Sequence, residues 1–423
     1  MEIILVYYGQ VIFLSFIVIN HLAEIYLSRR QLQTLTAGRD AVPTEFASVL
    51  SLADHQKAIA YGSARLNLSQ LRLVWDAILM FYWFPFRGLE KLYLALPGEG
   101  LHKEVIFLLS LTLIQMLLSL PWGLYSTFVL EEKFGFNRTT WKMFFVDRVK
   151  GLVLAALIGI PLLYAILAFF TFFPKTWWIF SFFLLTAFQF AMVWVYPRWI
   201  APLFNKFRPL EEVELKTGIE KLVTSAGFVA KEVYVMDASK RSSHGNAYFT
   251  GFGKSKRIVF FDTLLSTLSP GEVFSILAHE LGHLKLKHIP KSLITSVILS
   301  FLGFALMGYL AQKPEFYAAH FVRVYSPGAL LVLFSLAVPL YTFWSTPVSS
   351  WISRKREFEA DAYAAGETGP EGLISGLLKL YKENASPVIT DKVYSAFYHS
   401  HPPALERVKR LRTLEGKTSQ GLT

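Results

Sequence analysis

Three stretches of the chain carry side chains able to act together. The first is Ala278-His279-Glu280-Leu281-Gly282-His283, a His-Glu-x-x-His pattern. On an α-helix, residues four apart share a face, so both imidazoles can reach one ion. Glu280 stands one step round, where it can take a proton from a water on that ion. Only three residues are fixed, and a polar stripe on an amphipathic helix gives the same spacing. The second stretch is Glu357-Phe358-Glu359-Ala360-Asp361, with Glu357 and Asp361 on one face. A catalytic zinc commonly has three protein ligands and an open position. Glu357 can be the third ligand while Asp361 orients a neighbouring histidine. Pairing with Arg354, Lys355 and Arg356 explains the same acids as a solvated helix. Glu359 points elsewhere and reads as structural. The third stretch is His401-Pro402-Pro403, with Glu406 and Arg407 following. It can line a site, and a helix cap with surface charges is the plainer reading.

Those residues need rigid elements. Residues 257–262 (Arg-Ile-Val-Phe-Phe-Asp) are β-branched and aromatic and predict a strand. Ser269-Pro270-Gly271-Glu272 predicts a helix start, with Ser269 as cap, Pro270 at the first position and Glu272 closing a capping box. Phe274, Leu277, Leu281 and Leu284 form the apolar stripe of that helix. Residues 210–226 predict a helix, 232–237 and 246–251 two more strands, and 251–256 a turn. The remaining histidines, His21, His55, His102, His288 and His320, show no ligand spacing and read as structural or solvated. His244 borders an edge strand.

Of 423 residues, 53% are hydrophobic and 17% charged, too apolar for an ordinary soluble protein. The 37 Phe and 10 Trp suit lipid-facing and interfacial surfaces. With no cysteine, disulfides and Cys-ligated metals are excluded. The net charge of +11 fits Lys and Arg held in cytoplasmic loops, so no nucleic acid partner is expected. A span needs roughly 20 apolar residues. Candidate spans are 3–27, 68–96, 105–130, 151–173, 177–196, 289–310 and 328–343. The second is the least clean, because of Arg72, Asp76, Arg87 and Glu90. The expected organisation is spans one to five in 1–200, a catalytic domain in 201–288, spans six and seven in 289–352, and a helical part of the catalytic domain in 353–423. Lys133, Arg138, Lys142, Arg148 and Lys150 weight one set of loops, which predicts a cytoplasmic catalytic domain and an N-terminus outside.

Together these stretches resemble the type I CAAX prenyl proteases, integral-membrane zinc proteases of the a-factor-converting and prelamin-processing kind. The likeness rests on residues 200–207 (Ile-Ala-Pro-Leu-Phe-Asn-Lys-Phe), 240–249 (Lys-Arg-Ser-Ser-His-Gly-Asn-Ala-Tyr-Phe) and 257–265, besides the three stretches above. It implies a mainly α, polytopic membrane protein. About seven transmembrane helices would form a hollow barrel around a chamber, with a zincin-like catalytic domain carrying a small β-sheet. It implies one zinc per chain on His279, His283 and Glu357, with Glu280 as general base. It implies that His401 and Arg407 steady the tetrahedral intermediate and the ligand shell. Asn246, Ala247 and Tyr248 would hold an extended substrate by strand addition. The expected partners are a peptide or lipidated-protein substrate and membrane lipid. The tail over 418–423 lacks a di-lysine retrieval signal, and the loop over 312–327 is short. Both point to a prokaryotic member in a bacterial inner membrane, the endoplasmic reticulum being the eukaryotic counterpart.

Rival readings carry different marks. A membrane quality-control zinc protease shares the zinc motifs but has fewer spans. A catalytically silent chaperone or lipid-binding chamber has no use for Glu280. A transporter places ionisable residues in mid-span.

Overall fold

A computed structural model describes residues 2–250 and 255–420. Residues 251–254 of the expected turn and the last three residues of the tail, 421–423, lie outside that description.

Long apolar runs become long helices, because inside a bilayer every backbone polar group must find its partner within the segment. In chain order the first helices are α1 (Glu2–Ala37), α2 (Leu52–Trp83), α3 (Gly88–Ala95), α4 (Gly100–Tyr125) and α5 (Glu132–Phe134), then α6 (Trp141–Phe172) and α7 (Trp177–Val195). Among the described residues six stretches are long and apolar enough to cross a membrane. They are Ile3–Ala37, Gly100–Phe134, Trp141–Phe172, Trp177–Leu203, His288–Leu310 and Pro327–Thr368. The span expected over 68–96 is corrected. α2 stops at Trp83, Arg87 turns the chain with φ of 57°, and α3 begins afresh. α2 also carries Asp54, Lys57, Arg65, Arg72 and Asp76, too many charges for it to count as apolar.

Even so, α2 joins opposite ends of the helix bundle. At its start, Asp54 pairs with Lys382 of the catalytic part at 3.5 Å. At its end, Trp83 and the following Phe84 are buried with Val105, Phe107, Leu330 and Leu333. Three cavities of about 500, 410 and 520 Å³ are lined by α2 residues, so much of its polar surface faces hollow space.

A four-stranded sheet follows α7, in the order β1 (Phe207–Pro209), β2 (Val229–Met236), β4 (Ser255–Phe261), β3 (Ala247–Thr250). β2 and β4 run parallel; β1 and β3 pair antiparallel at the two edges. The strand β1 was not expected from sequence. Its three residues end in Pro209, which only an edge position tolerates. α8 (Val213–Ser225), α9 (Asp262–Thr267) and α10 (Pro270–Lys285) complete this unit. Val233, Val235, Ile258 and Phe260 of the sheet are buried against Ile219 and Val223 of α8 and Leu277 and Leu281 of α10. The apolar stripe of α10 therefore seats on the sheet and its other side is left for chemistry.

The chain then returns through α11 (His288–Leu310), α12 (Pro314–Ala319) and α13 (Pro327–Thr342). α14 (Thr346–Thr368), α15 (Pro370–Glu383), α16 (Lys392–Tyr398) and α17 (Ala404–Gln420) close the catalytic end. Phe46 and Leu50, from the α1–α2 connection, are buried there with Leu373, Val408 and Leu411.

Candidate metal centre

Local sequence explains why α10 is rigid at the site. Ser269 and Glu272 form the reciprocal capping box, with Ser269 N–H donating to Glu272 Oε2 at 2.8 Å. Glu272 also pairs with Lys379 of α15 at 2.8 Å, tying the helix start to its neighbour. Gly282 allows α14 to cross closely: a Cβ there would lie 3.0 Å from Ala360 Cα. That approach brings Glu357 and Asp361 of α14 onto the two histidines of α10.

Three side chains converge. His279 Nε2 and His283 Nε2 are 3.2 Å apart. Glu357 Oε2 is 3.4 Å from the former, and its Oε1 is 3.2 Å from the latter. A tetrahedral ion with bonds of about 2.0–2.1 Å needs ligand atoms roughly 3.3–3.4 Å apart, and these edges fit it. Glu357 Oε2 is buried and has no hydrogen-bond partner, a costly state unless a cation completes it. Burial weighs against charge on His279, but Asp361 and Glu357 outweigh it and raise its pKa to about 9. The pocket is therefore built to hold a cation, whether proton or metal.

The outer contacts fix each ring. Asp361 Oδ1 lies 2.8 Å from His279 Nδ1. Arg407 donates to both oxygens of Asp361, from Nε at 2.9 Å and Nη2 at 2.6 Å. Its Nη2 is 3.4 Å from His279 Nδ1, the ring nitrogen turned away from the cluster. Arg407 is buried, and its contacts are with Asp361 and the Nδ1 side of His279. His283 Nδ1 meets His288 Nδ1 at 3.0 Å, and His288 Nε2 meets Glu359 Oε2 at 3.0 Å. Sequence reasoning missed this pair. Lys287, with φ of 58°, breaks the chain between α10 and α11 and lets His288 fold back.

The other expected residues fall as follows. Glu280 is partly exposed and makes no ion pair among the described residues. His401 is 65% exposed in its side chain, with Nε2 3.5 Å from Glu357 Oε1. Asn246 precedes the edge strand β3. Its carbonyl accepts from Phe261 N–H at 2.9 Å, and its side-chain oxygen accepts from Ala247 N–H at 2.8 Å. Ala247 and Tyr248 lie in β3, paired with Phe260 and Val259 of β4 on one side only. His244, partly buried, has Nδ1 3.1 Å from Asn384 Oδ1 and bonds through its carbonyl to Thr263.

Comparison with known proteins decides the family. Residues 31–206 match the model described as CAAX prenyl protease N-terminal, five membrane helices, and residues 209–415 match peptidase family M48. A human protein named CAAX prenyl protease 1 homolog is 34% identical over 461 residues, spanning 96% of each chain. The chain belongs to the CAAX prenyl protease family. The CAAX prenyl protease 1 of Saccharomyces cerevisiae is 40% identical over 328 residues, 73% of this chain and 72% of that one. The crystal structure of S. mikatae Ste24p superposes with a TM-score of 0.88 at 33% identity, covering 95% of this chain and 99% of that one. This peptidase is thus a multi-pass membrane metallopeptidase. The relatives named here are eukaryotic, and the expectation of a prokaryotic member finds no support among them.

Proposed function

We propose that the protein is a zinc endopeptidase that cuts peptides near a CAAX-type C-terminus, the substrate its relatives are named for. What supports the metal assignment most is the convergence of three donor atoms at 3.2–3.4 Å around an unpartnered Glu357 oxygen. His279, His283 and Glu357 hold one zinc per chain. Bound there, zinc would supply Lewis acidity. Glu280, uncommitted to other partners, accepts the proton of the attacking water and returns it to the leaving amine. His401, on the exposed side of Glu357, donates to the oxygen on which charge develops. Asp361 and Arg407 hold the His279 ring, and His288 and Glu359 hold that of His283. The free edge of β3, led in by Asn246, offers the backbone of Ala247 and Tyr248 to an extended peptide. The spans enclose a chamber along α2, open to apolar or prenylated chains. The catalytic end faces the cytoplasm, and the eukaryotic relatives favour the endoplasmic reticulum membrane.

The test is to incubate purified protein with farnesylated and unmodified CAAX peptides and to locate the cut by mass spectrometry. The expected result is cleavage near the C-terminus in at least the farnesylated peptide. Cleavage scattered through unrelated unfolded proteins, with CAAX peptides left intact, contradicts the proposal.

A further inference from the structure

One of the cavities along α2, of about 500 Å³, reaches the metal centre. His401 lines it and also stands 3.5 Å from Glu357 Oε1, so the cavity opens beside the ligand shell. Its size falls in the ~300–1,000 Å³ range of ligand pockets. Its lining contains no Asp or Glu. Besides the phenols of Tyr381, Tyr394 and Tyr398, the groups facing it that can carry charge are Arg65, His399 and His401.

Arg65 is the strong cation among them. Its side chain is exposed, and Glu131 is the nearby acid that acts on it. Its guanidinium carbon sits 5.5 Å from the Tyr61 ring centroid, and the side chain also bonds to Tyr61. Glu131 is turned to the Tyr61 hydroxyl at 2.5 Å. Arg65 has no carboxylate or carbonyl partner among the described residues. Two neighbouring arginines are committed: Arg30 to Asp391 at 2.8 Å, and Arg354 to the carbonyls of Ser395 and His399 at 3.1 and 2.9 Å. A pocket whose lining holds no acid and whose guanidinium makes no ion pair among the described residues attracts an anion, and the planar fork of Arg matches a carboxylate. Leu35, Leu66 and Pro387 supply apolar walls beside it.

In the reaction proposed above, the fragment beyond the cut bond ends in a carboxylate. We infer that this cavity receives the departing C-terminal end of the peptide and that Arg65 binds its terminal carboxylate. Three extended residues reach roughly 10 Å. A cation placed along the cavity would set how many residues lie beyond the cut. The inference rests on the peptidase reading, and the two can fail separately.

The test compares one hydrophobic CAAX-type peptide as free acid and as C-terminal amide, on full-length zinc-loaded protein. The quantity read is the acid-to-amide ratio of kcat/KM, which cancels any general loss in a variant. The wild type should prefer the acid on the order of 10- to 100-fold. Arg65→Gln should bring the ratio near one, and Arg65→Lys should keep part of it. Calorimetry with the free departing tripeptide, as acid and as amide, reads the same contact without cleavage. Only the acid should bind the wild type, and Arg65→Gln should lose it. A wild-type ratio near one, or a ratio unchanged in Arg65→Gln, overturns the inference while leaving the peptidase reading intact. Should the wild type cut neither peptide, that reading fails, and tripeptide binding alone decides the pocket: acid-selective binding lost in Arg65→Gln upholds it, and equal binding of acid and amide overturns it.

Discussion

A histidine that offers Nε2 to a metal keeps its hydrogen on Nδ1, and that hydrogen needs an acceptor. For His279 the acceptor is Asp361. For His283 it is Nδ1 of His288, which must then carry its own hydrogen on Nε2 and give it to Glu359. This chain of two rings and a carboxylate fixes the tautomer of His283. His288→Phe and Glu359→Ala should therefore release zinc to a chelator about 10–100-fold faster than wild type. Glu359→Gln should stay close to wild type, because its amide oxygen accepts the same bond. Release at the wild-type rate from both His288→Phe and Glu359→Ala contradicts the relay. Glu359 is 43% exposed, so that variant tests the relay with little risk to folding. The spacing of His279, His283, Glu357 and Asp361 was legible, since each pair repeats at four residues on one helix. His288 was not. In an unbroken helix it would stand roughly 140° round from His283. Only the left-handed turn at Lys287 brings the rings together, and no residue type announces that turn.

α10 was the most legible element, because its start signals are chemical. Serine, proline and glutamate stand where an exposed helix end needs an acceptor, a fixed φ and a second acceptor. The structure adds a second task for Glu272, which pairs with Lys379 and accepts from Ser375 at 2.5 Å. Burial raises this carboxyl, but Lys379, Ser375 and Ser269 outweigh it and hold it at about 2, against an ordinary 4.5. The folded value lies below the unfolded one. Glu272 thus stabilises the fold above pH 4.5, and that contribution is lost as pH falls toward 2. Melting of the full-length protein in detergent should steepen with acid over that window. The slope should be shallower in Glu272→Gln, which has no proton to take up. Equal slopes contradict the assignment. β1 and the break at Arg87 were illegible for opposite reasons. β1 is too short to show a period, and Arg87 adopts a backbone that its side chain does not favour.

Across the whole molecule, composition revealed the membrane and loop charge suggested its sidedness. Six of the seven expected spans are apolar in their own right. The seventh, α2, must be counted from connectivity, since its polar residues face cavities and never form a clean apolar run. This chain has no cysteine, so single cysteines can be placed freely. In membranes of known sidedness, Ser266→Cys at the catalytic end should react with an impermeant maleimide only from the cytoplasmic face. Lys175→Cys, in the short connection between α6 and α7, should react only from the other. The reverse pattern contradicts the cytoplasmic assignment.

The central claim is that the His279, His283 and Glu357 cluster holds a metal and that Glu280 moves the proton. Glu280→Gln keeps the shape of the side chain and touches none of the three donors. Zinc content and peptide cleavage should be measured on the same wild-type and variant preparations. The account predicts one zinc per chain in both, with turnover lower in Glu280→Gln by about 10²–10⁴-fold or more. Cleavage at the wild-type rate by zinc-loaded Glu280→Gln would contradict it.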